Sequence, residues 1–134
     1  TLRKMTIKFG IVSHPCNLLV SLKRKKGLLM FILKKMLEAI SKNQMIGPDL
    51  LHDDFIFVDD FSMETKEEWL ATTQKLMDDG MDFSQLKIGE TVETNDMICF
   101  EFLNTIENVD MRITNVCLIK DNKVWRHIIN RCSV

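Results

Sequence analysis

The sequence predicts an α+β domain in which helices come first and a mainly antiparallel sheet follows. Three observations carry this. Between residues 21 and 79 apolar residues recur at helical spacing in two runs. After Gly80 the period changes to strict alternation. Turn residues then cut the alternating part into four successive strands. At 134 residues the chain fits one domain, long enough to bury roughly two-thirds of its unfolded surface.

The elements follow in order. Residues 6–12 have the pattern of a short strand, and Ser13-His14-Pro15 breaks it, because proline removes a donor and restricts its predecessor. From about Ser21 a helix is expected. Leu28, Leu29, Ile32, Met36, Leu37 and Ile40 form its apolar stripe, and Asn43 and Gly47-Pro48 stop it. Asp49 is placed to cap a short helical turn through Leu50-Leu51. Residues 55–58 are an apolar run bounded by acids, read as a buried strand, and residues 61–64 turn the chain. Thr65 is a good N-cap with Glu67 and Glu68 in the first turn. Trp69, Leu70, Thr73, Leu76 and Met77 give that helix its stripe, and Asp79-Gly80 ends it.

Strands are then expected at about 84–93, 96–104, 109–120 and 123–132, with a loose hairpin at 104–108 and a tight turn at Asn122. In the second, Ile98, Phe100 and Phe102 share one face. In the third, Met111, Ile113, Asn115 and Cys117 do. In the last, Trp125, His127, Ile129 and Arg131 alternate with Val124, Arg126, Ile128 and Asn130. Neither face is fully polar, so the sheet needs two covers: helices on one side and a second subunit on the other.

Charge is lopsided. Residues 1–37 hold nine Lys or Arg and no Asp or Glu, which leaves nine basic and nineteen acidic residues in the remainder. Residues 1–27 are read as a basic extension, disordered or packed on the body, with 28–134 as the single domain. A basic tail on an acidic body is the plain reading. A membrane-surface arm or a presequence are the others. Membrane contact is not expected, and the acidic body argues against a nucleic-acid groove. No apolar run reaches the ~18–20 residues that span a bilayer. The four cysteines (Cys16, Cys99, Cys117, Cys132) form no CxxC pair, so zinc is not expected. With no recognisable secretory signal, a reducing cytoplasm is the expected location.

Two segments carry a resemblance. One is Leu51-His52-Asp53-Asp54-Phe55-Ile56-Phe57-Val58-Asp59 followed by Lys66-Glu67-Glu68-Trp69-Leu70. The other runs from Met111-Arg112-Ile113-Thr114-Asn115-Val116 through Asp121-Asn122-Lys123-Val124-Trp125-Arg126. Their order and spacing resemble the nuclear-transport-factor-2-like superfamily, nearest its SnoaL-like group of polyketide cyclases and ketosteroid isomerases. The likeness covers about residues 28–134. It implies a cone-shaped (cystatin-like) curved sheet wrapped around N-terminal helices, a pocket in its mouth, and a homodimer through the outer sheet face.

The resemblance also implies a site. The isomerases place a catalytic aspartate at the end of the first strand, where Asp59 stands. They place an acidic hydrogen-bond donor on the third long strand, where Asn115 stands, and a tyrosine on the first helix. This chain has no tyrosine; Lys35 or Met36 falls near that position. His127 sits where the last strand turns a side chain inward. Proton abstraction beside a carbonyl needs one carboxylate held near its proton and strong donors aimed at the oxyanion. Asp59 could then be the base, with Asn115 or His127 as donor, and no cofactor is required. Each residue has a plainer alternative. Asp59 could be a turn residue bonded to backbone amides, Asn115 a satisfied structural amide, and His127 an ordinary strand residue. Trp69, Phe100, Phe102, Met111, Ile113, Trp125 and Ile129 are the expected pocket wall. The function expected is a pocket for a small, mainly apolar molecule, with acid–base chemistry of isomerase, cyclase or hydrolase type. The alternative is a non-catalytic dimeric binding or scaffold module.

Overall fold

The alternating runs of the second half pair with their sequence neighbours, because turns of two or three residues join them. The computed structural model describes residues 31–134. The expected strand at 6–12 and the start of the first helix lie outside the described residues. Helix α1 is helical over 31–41. A short 3-10 turn, Pro48–Leu50, leads into β1, Leu51–Val58. Then come β2, Met63–Thr65; α2, Lys66–Asp78; a 3-10 turn, Phe83–Gln85; and β3, Lys87–Glu93. Strands β4, Met97–Ile106; β5, Val109–Lys120; and β6, Lys123–Ser133, complete the chain. They form one curved six-stranded sheet in the order β2-β1-β6-β5-β4-β3. Every pairing is antiparallel except β1 with β6, which is parallel. No helix among the described residues is long and apolar enough to cross a membrane.

Both late hairpins are tight. Glu107 and Asn108 have φ of 49° and 63°, and Asp121 and Asn122 have φ of 52° and 62°. Two consecutive positive φ values match the right-handed twist of the flanking strands. The loose hairpin expected at 104–108 is therefore corrected: Ile106 pairs directly with Val109. Strand β2 was not foreseen, because three residues are too short to show alternation. Asp49 does not cap the 3-10 turn; it lies inside it, and Gly47 is the capping residue without a side-chain bond. Thr65 caps α2 as expected. Its hydroxyl accepts from the Glu68 amide, and Glu68 returns a bond to the Thr65 amide at 2.8 Å. At the other end Gly80 takes φ of 102°, a conformation that glycine adopts without a Cβ penalty.

The core lies between the inner sheet face and the helices. Ile32, Leu33 and Met36 of α1 pack with Leu51 and Phe55 of β1, and with Ile98, Phe100 and Phe102 of β4. The alternation read from the sequence thus places the correct face of β4 inward. Strand β6 is different. Its register against β5 slips between Leu118, opposite Arg126, and Ile119, opposite Val124. One extra residue on β6 makes a bulge, and that residue is Trp125. Val124 is consequently sealed in the core, while Trp125 stacks under the Arg126 guanidinium at 3.8 Å and near Lys120 at 5.1 Å.

Strand β1 is irregular at the same level. Its pairing with β6 jumps from Leu51–Val124 to Ile56–Arg126, so residues 52–55 lose ladder partners. Side chains replace them. Lys66 Nζ donates to the Leu51 carbonyl at 3.2 Å, and Arg126 donates to the Asp54 carbonyl at 2.6 Å. The Asp54 amide donates to His52 Nδ1 at 3.0 Å, which leaves Nε2 as the donor to Asp121, also at 3.0 Å. His52 is thus a strand residue bracing the β5–β6 turn. Asp53 and Asp54 lie within the strand.

Candidate functional site

Between the inner sheet face and the helices, packing leaves a cavity of about 400 Å³. Its wall is mostly apolar. Met36 and Ile40 come from α1, Trp69 and Met77 from α2, and Phe57, Phe100, Phe102, Ile113 and Ile129 from the sheet. Asp59 and Ile106, at the ends of β1 and β4, and Arg131 on β6 line it toward one end of the sheet. A cavity of this size and composition is what small-molecule sites use.

Asp59 follows β1 and closes the turn to β2. Its Oδ1 accepts from the Phe61 amide at 2.9 Å, the Ser62 amide at 2.8 Å and the Ser62 hydroxyl at 3.0 Å. Oδ2 stands 3.9 Å from Arg131. The Phe61 amide, then the Ser62 hydroxyl and amide and the Arg131 charge, hold its carboxyl below the usual range against an opposing desolvation. Both plain and functional readings therefore meet here: Asp59 is bonded to backbone amides and it also lines the cavity. As a base it is weakened, since each bond favours the ionised form over the protonated one.

Asn115 and His127 face each other across β5 and β6. Cys117 is the register partner of His127, and Asn115 that of Ile129, which puts all four on the inner face. Asn115 is only 2% exposed. Its amide nitrogen points at the Phe100 carbonyl, 3.5 Å away, and the Ile113 carbonyl, 3.4 Å away. Its Oδ1 lies 2.9 Å from His127 Nε2. With the amide nitrogen spent on carbonyls, Oδ1 is the acceptor, so His127 donates through Nε2–H. Nδ1 is then an unprotonated acceptor without a partner among the described residues. The ring is packed against Phe57 at 5.2 Å, Trp69 at 6.3 Å and Phe100 at 6.5 Å between centroids, yet keeps part of its surface on the cavity. Burial pushes its pKa down to about 4, so the imidazole is neutral.

Of the expected wall, Trp69, Phe100, Phe102, Ile113 and Ile129 line the cavity, together with Asp59, Asn115 and His127. Trp125 does not, because the β6 bulge turns it to the other side. Met111 does not either, although its cross-strand partner Asn104 does. Met36 lines the cavity, and Lys35 pairs outward with Glu38 at 3.8 Å. Two charged residues were not singled out from the sequence. Arg131 shares the alternation of His127 and Ile129, so its signal was present. Glu64 enters through β2, where only the pairing with Phe57 reveals its direction. Among the described residues, no cluster of three or more His, Cys, Asp or Glu side chains could hold a metal ion.

No family model matches this sequence, and no curated protein does. Solved structures match in shape. An NTF2-like protein of unknown function from Burkholderia xenovorans LB400 superposes with a TM-score of 0.66 at 10% identity, over 82% of this chain and 87% of that one. A steroid delta-isomerase from Pseudomonas aeruginosa gives 0.65 at 10% identity, over 78% and 80%. A protein assigned as a polyketide cyclase from Sinorhizobium meliloti gives 0.60 at 15% identity, over 74% and 93%. The chain has the NTF2-like fold.

Proposed function

We propose that this chain binds a small, mainly apolar molecule in the cavity, with its polar end at His127 Nδ1. The observation that carries this is the hollow itself: about 400 Å³ of mostly apolar-walled space with the hydrogen-bonded His127–Asn115 pair on its sheet side. A buried pair that merely stabilised the core would have no reason to leave a ring nitrogen unpartnered beside open space.

Acid–base chemistry on the ligand, of the isomerase or cyclase type, draws support from the names of the structural neighbours. The geometry limits which residues could perform it. Asn115 has its amide hydrogens on two carbonyls and is not free to donate to an oxyanion. Asp59 is held ionised by its turn. His127 Nδ1 is left as the proton acceptor, and its low basicity suits orientation of a hydroxyl or amine better than removal of a carbon-bound proton. Binding is therefore the primary role and catalysis the subordinate one. Thermal-shift screening against a metabolite panel tests it. A ligand at about 100 times its dissociation constant should stabilise the fold by about 2.7 kcal/mol. A melting temperature indifferent to every apolar compound in the panel would contradict the reading.

A dimeric scaffold is the second reading. It is favoured by the outer sheet face, where Ile128 is exposed and Cys99, Leu103, Val116 and Leu118 are only partly covered. Sedimentation velocity decides it: a monomer at micromolar concentration would remove that reading.

A further inference from the structure

Glu64 is the middle residue of β2 and stands opposite Phe57 of β1. Cross-strand partners share a face, and both side chains line the cavity. The Glu64 carboxyl makes no hydrogen bond or ion pair among the described residues, and its Oε2 is sealed from solvent. The other charges of the wall are already matched. Arg131 is the single Lys or Arg on the described lining, and it stands 3.9 Å from Asp59 and 3.9 Å from Asp60. Among the described residues Glu64 is thus the unmatched charge of the hollow. Beside it, three rings form a cluster: Phe57 and Trp69 are 6.2 Å apart, Phe57 and His127 5.2 Å, and Trp69 and His127 6.3 Å.

We infer that the ligand carries an ammonium group on an otherwise apolar body, with Glu64 as its counter-ion. This rests on the reading of the cavity as a binding site and names the ligand class. Three features converge on it. An uncompensated carboxylate in a low-dielectric wall awaits a cation or a strong donor. Aromatic faces attract a desolvated cation as well as apolar carbon. His127 Nδ1 offers a second acceptor for a primary or secondary ammonium. On this wall the donors are the neutral Thr72 and Thr73 hydroxyls and the Gln44 and Asn104 amides, so Glu64 is the group that calls for a positive charge. An acidic ligand would meet Glu64 and Asp59 with no free cation among the described residues to receive it.

The test uses three probes of matched shape: phenethylamine, phenethyl alcohol and hydrocinnamate. Calorimetric titration of the full chain should show the amine binding at least tenfold tighter than the alcohol, with the acid weakest. Glu64→Gln should bring the amine down to the affinity of the alcohol and leave the alcohol unchanged. It should also melt no lower than the parent, because the change removes an unpaired charge from the wall. The comparison of amine with alcohol on the parent chain stands without the variant. Equal binding of the two there, or an amine preference that survives Glu64→Gln, overturns the ammonium assignment and leaves the cavity reading intact. Failure of all three probes to bind the parent chain overturns both.

Discussion

Phe55→Ala should cost about 3–5 kcal/mol in urea unfolding, the range for removing a fully enclosed aromatic side chain. Phe55 is 1% exposed, packs against Trp69 with centroids 5.5 Å apart, and does not line the cavity. Its ring has protein on every side, so truncation leaves a dry void with no compensation. Against a total stability of about 5–15 kcal/mol for a domain, this is a large fraction. Phe100→Ala provides the control. Phe100 is as little exposed, but one side of it borders the hollow. Truncation there enlarges a space that already exists, and the cost should be the smaller of the two. If the order were reversed, the wall at Phe100 would be packed solid and the hollow would not be real.

Lowering the pH from about 7 to below 4 should remove about 3 kcal/mol of stability through His127 alone. The ring's pKa falls from 6.5 unfolded to about 4 folded. Between those values the unfolded chain binds a proton and the folded chain does not. Stability therefore rises with pH across that window and is lost as pH falls through it. The contribution is complete above about 6.5. Asp59 acts in a different window, because its depressed pKa makes its share decline only below about 3.8. The two are separable. Replacing His127 with Phe should flatten the slope between pH 6.5 and 4 while leaving the steeper acid limb. A slope unchanged by that replacement would mean the ring is not held neutral by burial.

Much of the frame was legible before any coordinates. Residues 97–106 and 109–120 alternate with turn residues after each, so the approximate extents of the late strands and the inward face of β4 followed from periodicity. Thr65 and Gly80 marked α2 because capping chemistry is local. Failures came where position depends on partners rather than on neighbours. Trp125 reads as an inward residue by counting twos from His127, but a bulge adds one residue and reverses its direction, and nothing in Lys123-Val124-Trp125 announces that. Glu64 reads as a turn residue, because β2 exists only through its pairing with β1. Asn115 was placed on the correct face, yet its role was open. Only the positions of the Phe100 and Ile113 carbonyls show that its amide hydrogens are occupied and that it serves to orient His127. Residue types marked the site; hydrogen-bond partners assigned the tasks within it.

The central claim is that His127 presents a bare Nδ1 to an open, apolar hollow. Nitrogen-15 spectra of histidine-labelled protein near pH 7 address it directly, with His127→Phe identifying the resonance. The account predicts a protonated Nε2 and an unprotonated Nδ1, with the Nδ1 signal moving when phenethylamine or phenethyl alcohol is added. A protonated Nδ1, or a signal unmoved by a probe that calorimetry shows to be bound, would contradict it.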